Sequence, residues 1–463
     1  MLRPDSTAKA SVSETLSNAR TGDRTAFLSL FGVIVLAMIM GGGGQRYALA
    51  NLAVQLTALG ALGFRPGAFA QFIRNAPLVL KVLLVLSFLL PLLQSIPLPP
   101  DMWSRAPGRD LVSQSFEAAG HSGWMSLSVD PRRTLLALSA LVTPLAVLVV
   151  GWSCRQAELI ALGWLVVALG IANFLLGSVQ VMTMGDFGTI YDTLLSDSVM
   201  NGTFANRNST GLFLVGALGL AALLPPPRLH PAVLPVRIAL CALLVVGIVL
   251  TRSRSALVLA GIPLLLGAFR IFWWSSRNAP SETRARRVLI AGGAVGLVVA
   301  LAAAGLALVP GRVADTVDRF QASGDDARFY IWEDGMYAAS RYWPIGAGVG
   351  TFDDVFQVDE SLENMTKRRA GRAHNDFLEV AIEAGLPGLL LVAGWLALIA
   401  WLAWRVRLSR LRWFAWANAA FLLAIALQSI TDYPLRNQAL LAVAGFALLG
   451  LARIGAEPSG KTR

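Results

Sequence analysis

Runs of about 15 to 22 apolar residues recur along this chain, and each is long enough, or nearly so, to cross the roughly 30 Å hydrocarbon core of a bilayer as a helix. No other feature limits the fold as strongly, because only helices or closed barrels satisfy their backbone polar groups inside lipid. About twelve such runs are present, at 26–40, 47–63, 77–93, 134–152, 158–178, 209–224, 237–251, 255–272, 288–309, 385–404, 413–430 and 438–454. Composition agrees. The 463 residues are 55% hydrophobic and 14% charged, with a mean hydropathy of +0.61, whereas soluble domains carry about 25% charged residues. The first run lacks a small-residue cleavage site and continues through "GGGG" (41–44) into a second apolar stretch, so it reads as a span rather than a cleaved signal. The expected fold is an all-α polytopic membrane protein of about twelve transmembrane helices with a helical periplasmic cap.

Orientation follows from where Lys and Arg fall in short loops. An even number of spans with the N-terminus inside puts Arg65, Arg74, Arg155, Arg228, the loop "RNAPSETRARR" (277–287), Arg405, Arg407, Arg410 and Arg412 on the cytoplasmic side. Four segments are then exported: 94–133, 179–208, 310–384 and the turn "TDYPLRN" (431–437). Only 310–384 is large enough to fold outside the membrane, and Trp332, Tyr337 and Trp343 followed by the Gly-rich turn "PIGAGVGTF" (344–352) read as a helical cap. The chain divides into a disordered cytoplasmic N-terminus (1–25), N-terminal transmembrane helices with periplasmic loops (26–199), a core containing the exported segment (200–437), and a last span with its tail (438–463). The formal charge of +11 is scattered over loops facing two compartments, which excludes a nucleic-acid surface. Cys154 and Cys241 sit at different membrane depths and cannot pair. No Walker motif, CxxC or HExxH occurs, so no cofactor and no metal is expected.

Charges beside membrane helices are costly and mark candidate sites. "TRSRSAL" (251–257) places Arg252 and Arg254 at an outer helix boundary; they either snorkel to headgroups or offer a planar fork of donors to a phosphate. "NGTFANRNSTG" (201–211) holds Asn206, Asn208 and Ser209, natural helix-start residues. The dipole opposes Arg207 at that position unless an anion sits there too. Finally, "RAHNDFLEVAIEAGLPG" (372–388) holds one of only three histidines. A helix from His374 onward puts Asp376, Glu379 and Glu383 on one face. A histidine here is either a helix-start residue or a near-neutral base, with Asp376 or Glu379 as the expected orienting carboxylate.

The segments "GTFANRN", "TRSRSAL", "RFYIWEDGMYAASRYWPIGAGVGTF", "AHNDFLEVAIEAGLPGLLL" and "SITDYPLRN", in this order over roughly residues 200–437, resemble the bacterial O-antigen ligase and Wzy-type O-antigen polymerase family. The resemblance implies a multi-pass inner-membrane glycosyltransferase with its active site facing the periplasm. It implies transfer of a glycan from undecaprenyl diphosphate to an acceptor hydroxyl, by an inverting, metal-independent route. Carried over by motif, Arg207 and Arg254 would bind the donor diphosphate and His374 would act on the acceptor hydroxyl with Asp376 beside it. The partners implied are the undecaprenyl-diphosphate-linked glycan donor, a glycan or lipid A-core acceptor and the lipid bilayer. The early "LPPDMW…PGR" loop (98–109) resembles exopolysaccharide-associated members, which leans the reading toward a polymerase. A lipid-linked sugar transporter or flippase is the alternative; against it, no repeat relates the two halves and the candidate charges lie on one side.

Overall fold

The computed structural model describes residues 24–121, 123–191, 199–226, 232–278, 328–365 and 369–456. Its first helices are α1 (Arg24–Met40), α2 (Ala48–Gly63), α3 (Pro66–Asn75) and α4 (Leu78–Gln94). A polar segment follows, in which β1 (Pro97–Leu98) and β2 (Met125–Ser126) pair antiparallel around the short helices α5 (Pro100–Trp103) and α6 (Asp110–Ala118). Next come α7 (Pro131–Ala140), α8 (Val142–Gly151), α9 (Gln156–Met182), α10 (Arg207–Leu223), α11 (Val233–Leu250), α12 (Arg254–Leu259) and α13 (Gly261–Asn278). The C-terminal part holds α14 (Arg328–Arg341), α15 (Phe352–Asp359), α16 (Asp376–Arg405), α17 (Arg412–Gln428) and α18 (Gln438–Gly455).

The protein is an all-α membrane protein, and the described residues account for part of the expected span count. Among the described residues, 6 helical stretches are long and apolar enough to cross a bilayer: Pro131–Gly151, Gln156–Met182, Val233–Leu250, Arg254–Trp273, Asp376–Leu408 and Gln438–Gly455. The pair α2 and α3, bent by 80°, raises the number to 7 if it forms one span. Four further expected runs are helices that stop at 17 residues, namely α1, α4, α10 and α17. At 1.5 Å per residue each covers about 25 Å, short of a full hydrocarbon core. The expected span 288–309 lies outside the described residues, as do most of 1–25, Arg228, most of the 277–287 loop, the first part of the 310–384 segment, Lys367, Arg368 and the end of the tail. Pro66 at the first turn of α3 restarts the helix in a new direction. Phe72 then meets Trp152 edge-on at 5.4 Å.

The bundle has two chemically different ends. At one, Arg65 donates to Thr25, Arg155 pairs with Glu158 at 2.7 Å, and Arg453 donates to the Cys154 carbonyl at 3.2 Å. Segments separated widely in sequence meet at the other. Gln94 donates to the Glu383 carbonyl (3.0 Å), Val129 N–H to the Ala347 carbonyl (2.8 Å), Ala205 N–H to the Gly42 carbonyl (3.1 Å) and Asp376 N–H to the Ser429 carbonyl (2.8 Å). There α14 and α15 form the described part of the cap around Tyr342, Phe352 and Phe356, packed on Ala373 and Ile382.

One break in α16 shapes this end. Pro387 has no N–H to offer the Glu383 carbonyl, and Gly385 leaves the helix at φ 56°, ψ −145°. Gly348 N–H and the Gln94 side chain take over the Glu383 carbonyl at 2.8 and 3.0 Å, while Ala347 N–H takes the Ile382 carbonyl at 2.8 Å. Leu386 N–H turns to the Pro344 carbonyl at 2.9 Å. The Ile382 and Glu383 carbonyls and the Leu386 N–H are thereby paired by the Gly-rich turn and Gln94. Only glycine fits at 385, since a Cβ would lie 2.1 Å from that carbonyl oxygen.

Candidate active site

The first turn of α16 is built by Asn375, whose side chain caps the helix by accepting from the N–H groups of Phe377 and Leu378 at 3.1 Å each. His374, just outside the helix, has φ 51°. Non-glycine residues seldom occupy that left-handed region, and those that do cluster at functional sites. The His374 side chain is 32% exposed, and its ring centroid lies 4.9 Å from that of Tyr433.

Its Nδ1 faces Asp432 Oδ1 at 3.6 Å, and Asp432 is nearly sealed from solvent. Neither atom has a hydrogen bond within the protein. The separation exceeds a direct hydrogen bond, yet such contacts commonly tighten once substrate binds. Burial works to raise the Asp432 carboxyl. The facing histidine, the Asn208 side chain and the Tyr433 backbone N–H outweigh it and hold the group below the usual carboxylate range. Burial, reinforced by the Asp432 charge, pushes the Tyr433 hydroxyl up to about 12. A histidine with one nitrogen turned to an ionised carboxylate has its other nitrogen free to accept a proton.

Asp376, Glu379 and Glu383 do share one face of α16, but that face meets Arg436 rather than His374. Asp376 accepts from Ser429 Oγ at 3.0 Å and from Arg436 Nε at 3.3 Å. Glu379 pairs with Arg372 and, at 2.9 Å, with Arg436. Glu383 lies 3.7 Å from Arg436 and accepts from Phe352 N–H at 3.1 Å. The carboxylate facing His374 is therefore neither Asp376 nor Glu379, as the helical spacing led one to expect; it is Asp432. The signal for Asp432 and Arg436 was present in "TDYPLRN", a short charged turn between two apolar runs, where the argument from membrane-edge charges applies equally.

Arg207 is the first residue of α10, and its predecessor Asn206 caps that helix by accepting from Asn208 N–H at 2.9 Å. The Asn206 amide also reaches Asp432 Oδ2 at 3.5 Å, so this helix start borders the His374–Asp432 pair. Arg254 is the first residue of α12, capped by Ser253. The two helices pack so closely that a Cβ on Gly211 would stand 2.5 Å from the Ala256 Cβ. Arg207 and Arg254 thus occupy neighbouring helix N-termini at the same end of the bundle as His374. Arg252 is different: it precedes α12 with φ 54°, so the two arginines of "TRSRS" do not lie on one continuous helix. Helix N-termini and guanidinium groups together favour an anion. Among the described residues, no group of three His, Cys, Asp or Glu is placed to hold a metal ion.

The described residues thus make a polytopic helical membrane protein with arginines, a histidine and a carboxylate gathered at one end. Residues 239–393 match the protein family described as O-antigen ligase, a match that supports the resemblance to the O-antigen ligase and Wzy family. The matched stretch includes Arg254 and His374; Arg207 and Asp432 lie outside it. No curated protein matches the chain significantly.

Proposed function

We propose that the protein is a multi-pass inner-membrane glycosyltransferase that moves a glycan from undecaprenyl diphosphate to an acceptor hydroxyl on the periplasmic side. The observation that carries this reading is the approach of His374 Nδ1 to Asp432 Oδ1 at 3.6 Å, beside the helix starts that bear Arg207 and Arg254. In the reaction, the acceptor oxygen attacks the anomeric carbon and the bond from that carbon to the diphosphate oxygen breaks with inversion. His374 takes the hydroxyl proton. Undecaprenyl diphosphate leaves with the electron pair, its charge met by Arg207 and Arg254. The donor carries its own leaving group, so the reaction needs no nucleotide triphosphate.

The positive-inside rule supports the sidedness, because Arg65, Arg155 and Arg453 mark the end opposite His374. An arrangement of about twelve spans is supported by the four 17-residue apolar helices, which local thinning of the bilayer and snorkelling of flanking residues would accommodate. The early loop at 98–109 favours a polymerase, with a second lipid-linked glycan as acceptor, over a ligase acting on lipid A-core.

Purified protein in vesicles, given undecaprenyl-diphosphate-linked glycan and a candidate acceptor, is expected to release one undecaprenyl diphosphate per glycan transferred. Elongation with the lipid-linked repeat alone identifies a polymerase, and a requirement for lipid A-core identifies a ligase. Movement of intact donor between leaflets with no bond broken would establish the transporter instead.

A further inference from the structure

His374 and Asp432 come from segments far apart in the chain, and their approach depends on whatever locks the start of α16 against the 429–437 turn. Two of the locking contacts involve Ser429: Asp376 N–H donates to its carbonyl at 2.8 Å and its hydroxyl donates to Asp376 at 3.0 Å. Others converge on Arg436. Its Nε meets Asp376 at 3.3 Å, and one terminal nitrogen meets Glu379 at 2.9 Å and Glu383 at 3.7 Å. Glu379 is 0% and Glu383 1% exposed, so both are buried carboxylates that are costly without a cation. Glu379 also accepts from Ala373 N–H at 3.3 Å, the residue before the histidine, and Glu383 from Phe352 N–H in the cap. A single guanidinium therefore ties the turn carrying Asp432 to the helix start carrying His374, and through the glutamates to the cap.

Resting on the functional reading above, we propose that Arg436 is a positioning residue for the transfer: its forked guanidinium fixes the register of α16 against the 429–437 turn and so sets His374 against Asp432. It touches neither donor nor acceptor in this role. Two of its nitrogens reach carboxylates on different turns of α16, a geometry that the point charge of a lysine cannot reproduce.

The test is a comparison of wild-type protein with Arg436→Lys, which keeps the buried charge but loses the fork, in the vesicle transfer assay. Expected is a kcat lowered by about 10- to 100-fold, the scale of an ångström-level misplacement, with the donor KM within about twofold of wild type. In a His374→Ala background the same substitution should cost nothing further, because the group being positioned is gone. If Arg436→Lys reduces the amount of folded protein, Asp376→Asn, which cuts only one branch of the clamp, carries the same expectation on kcat and KM. A wild-type kcat in the substituted protein, an effect on donor KM alone, or an equal further loss in the His374→Ala background would overturn the proposal. An inactive wild-type protein would instead overturn the functional reading on which the proposal rests.

Discussion

Replacing His374 with alanine is expected to leave expression and membrane insertion intact and to lower glycan transfer by about 10²–10⁴-fold, the usual scale for a general acid–base group. The substitution is structurally mild. His374 lies outside α16, the cap of that helix is provided by Asn375, and the side chain makes no hydrogen bond through Nδ1. A folding defect would therefore need another cause, while loss of the proton acceptor leaves the acceptor hydroxyl unactivated. Asp432→Asn keeps the shape and removes the charge that orients the ring, so its loss should fall within the same range without exceeding that of His374→Ala. Near-normal product from His374→Ala, in a strain lacking the native gene, would make the histidine a turn residue. The other acids near the cap are poor replacements: Asp353 is paired with Arg133 at 3.1 Å and Arg369 at 2.7 Å, and Asp354 with Arg133 at 3.0 Å.

The second large effect concerns the donor. Arg207→Ala and Arg254→Ala are each expected to reduce kcat/KM for the lipid-linked glycan at least tenfold, since truncating one partner of a buried charge-assisted pair costs about 2–5 kcal/mol. Each begins a helix, and the dipole of α10 or α12 adds to the field that its guanidinium presents to a diphosphate. Arg252→Ala should cost less, because Arg252 sits before α12 in a left-handed turn. Steady-state kinetics with graded donor concentrations distinguish these outcomes. Loss at Arg252 with none at Arg254 would shift the diphosphate to the other side of that turn.

Much of this arrangement was legible in the chain, and what was not has a physical reason. Apolar runs announce membrane helices because lipid imposes one backbone solution. Asn206 and Asn375 announce helix starts because short polar side chains satisfy the first free N–H groups. The shared face of Asp376, Glu379 and Glu383 follows from helical geometry alone. Periodicity tells which residues share a face, however, and never which distant element that face meets. Arg436 therefore could not be matched to those acids, nor Asp432 to His374. The break at Gly385 was hidden for a related reason: "AGLPG" permits a continuous or an interrupted helix, and the decision is made by the 344–352 turn, which supplies the replacement hydrogen bonds. The 17-residue helices show the opposite limit, where an apolar run fixes the helix but not whether it reaches across a bilayer unaided.

The central claim is that His374 and Asp432 act as one unit in the transfer. The most direct measurement is a cycle of His374→Ala, Asp432→Asn and the double variant in the vesicle assay, reading the rate of undecaprenyl diphosphate release. Groups that work together lose their effect together, so the double variant is expected to be no slower than His374→Ala alone. If the two losses multiply instead, the residues act independently and the proposed base is contradicted.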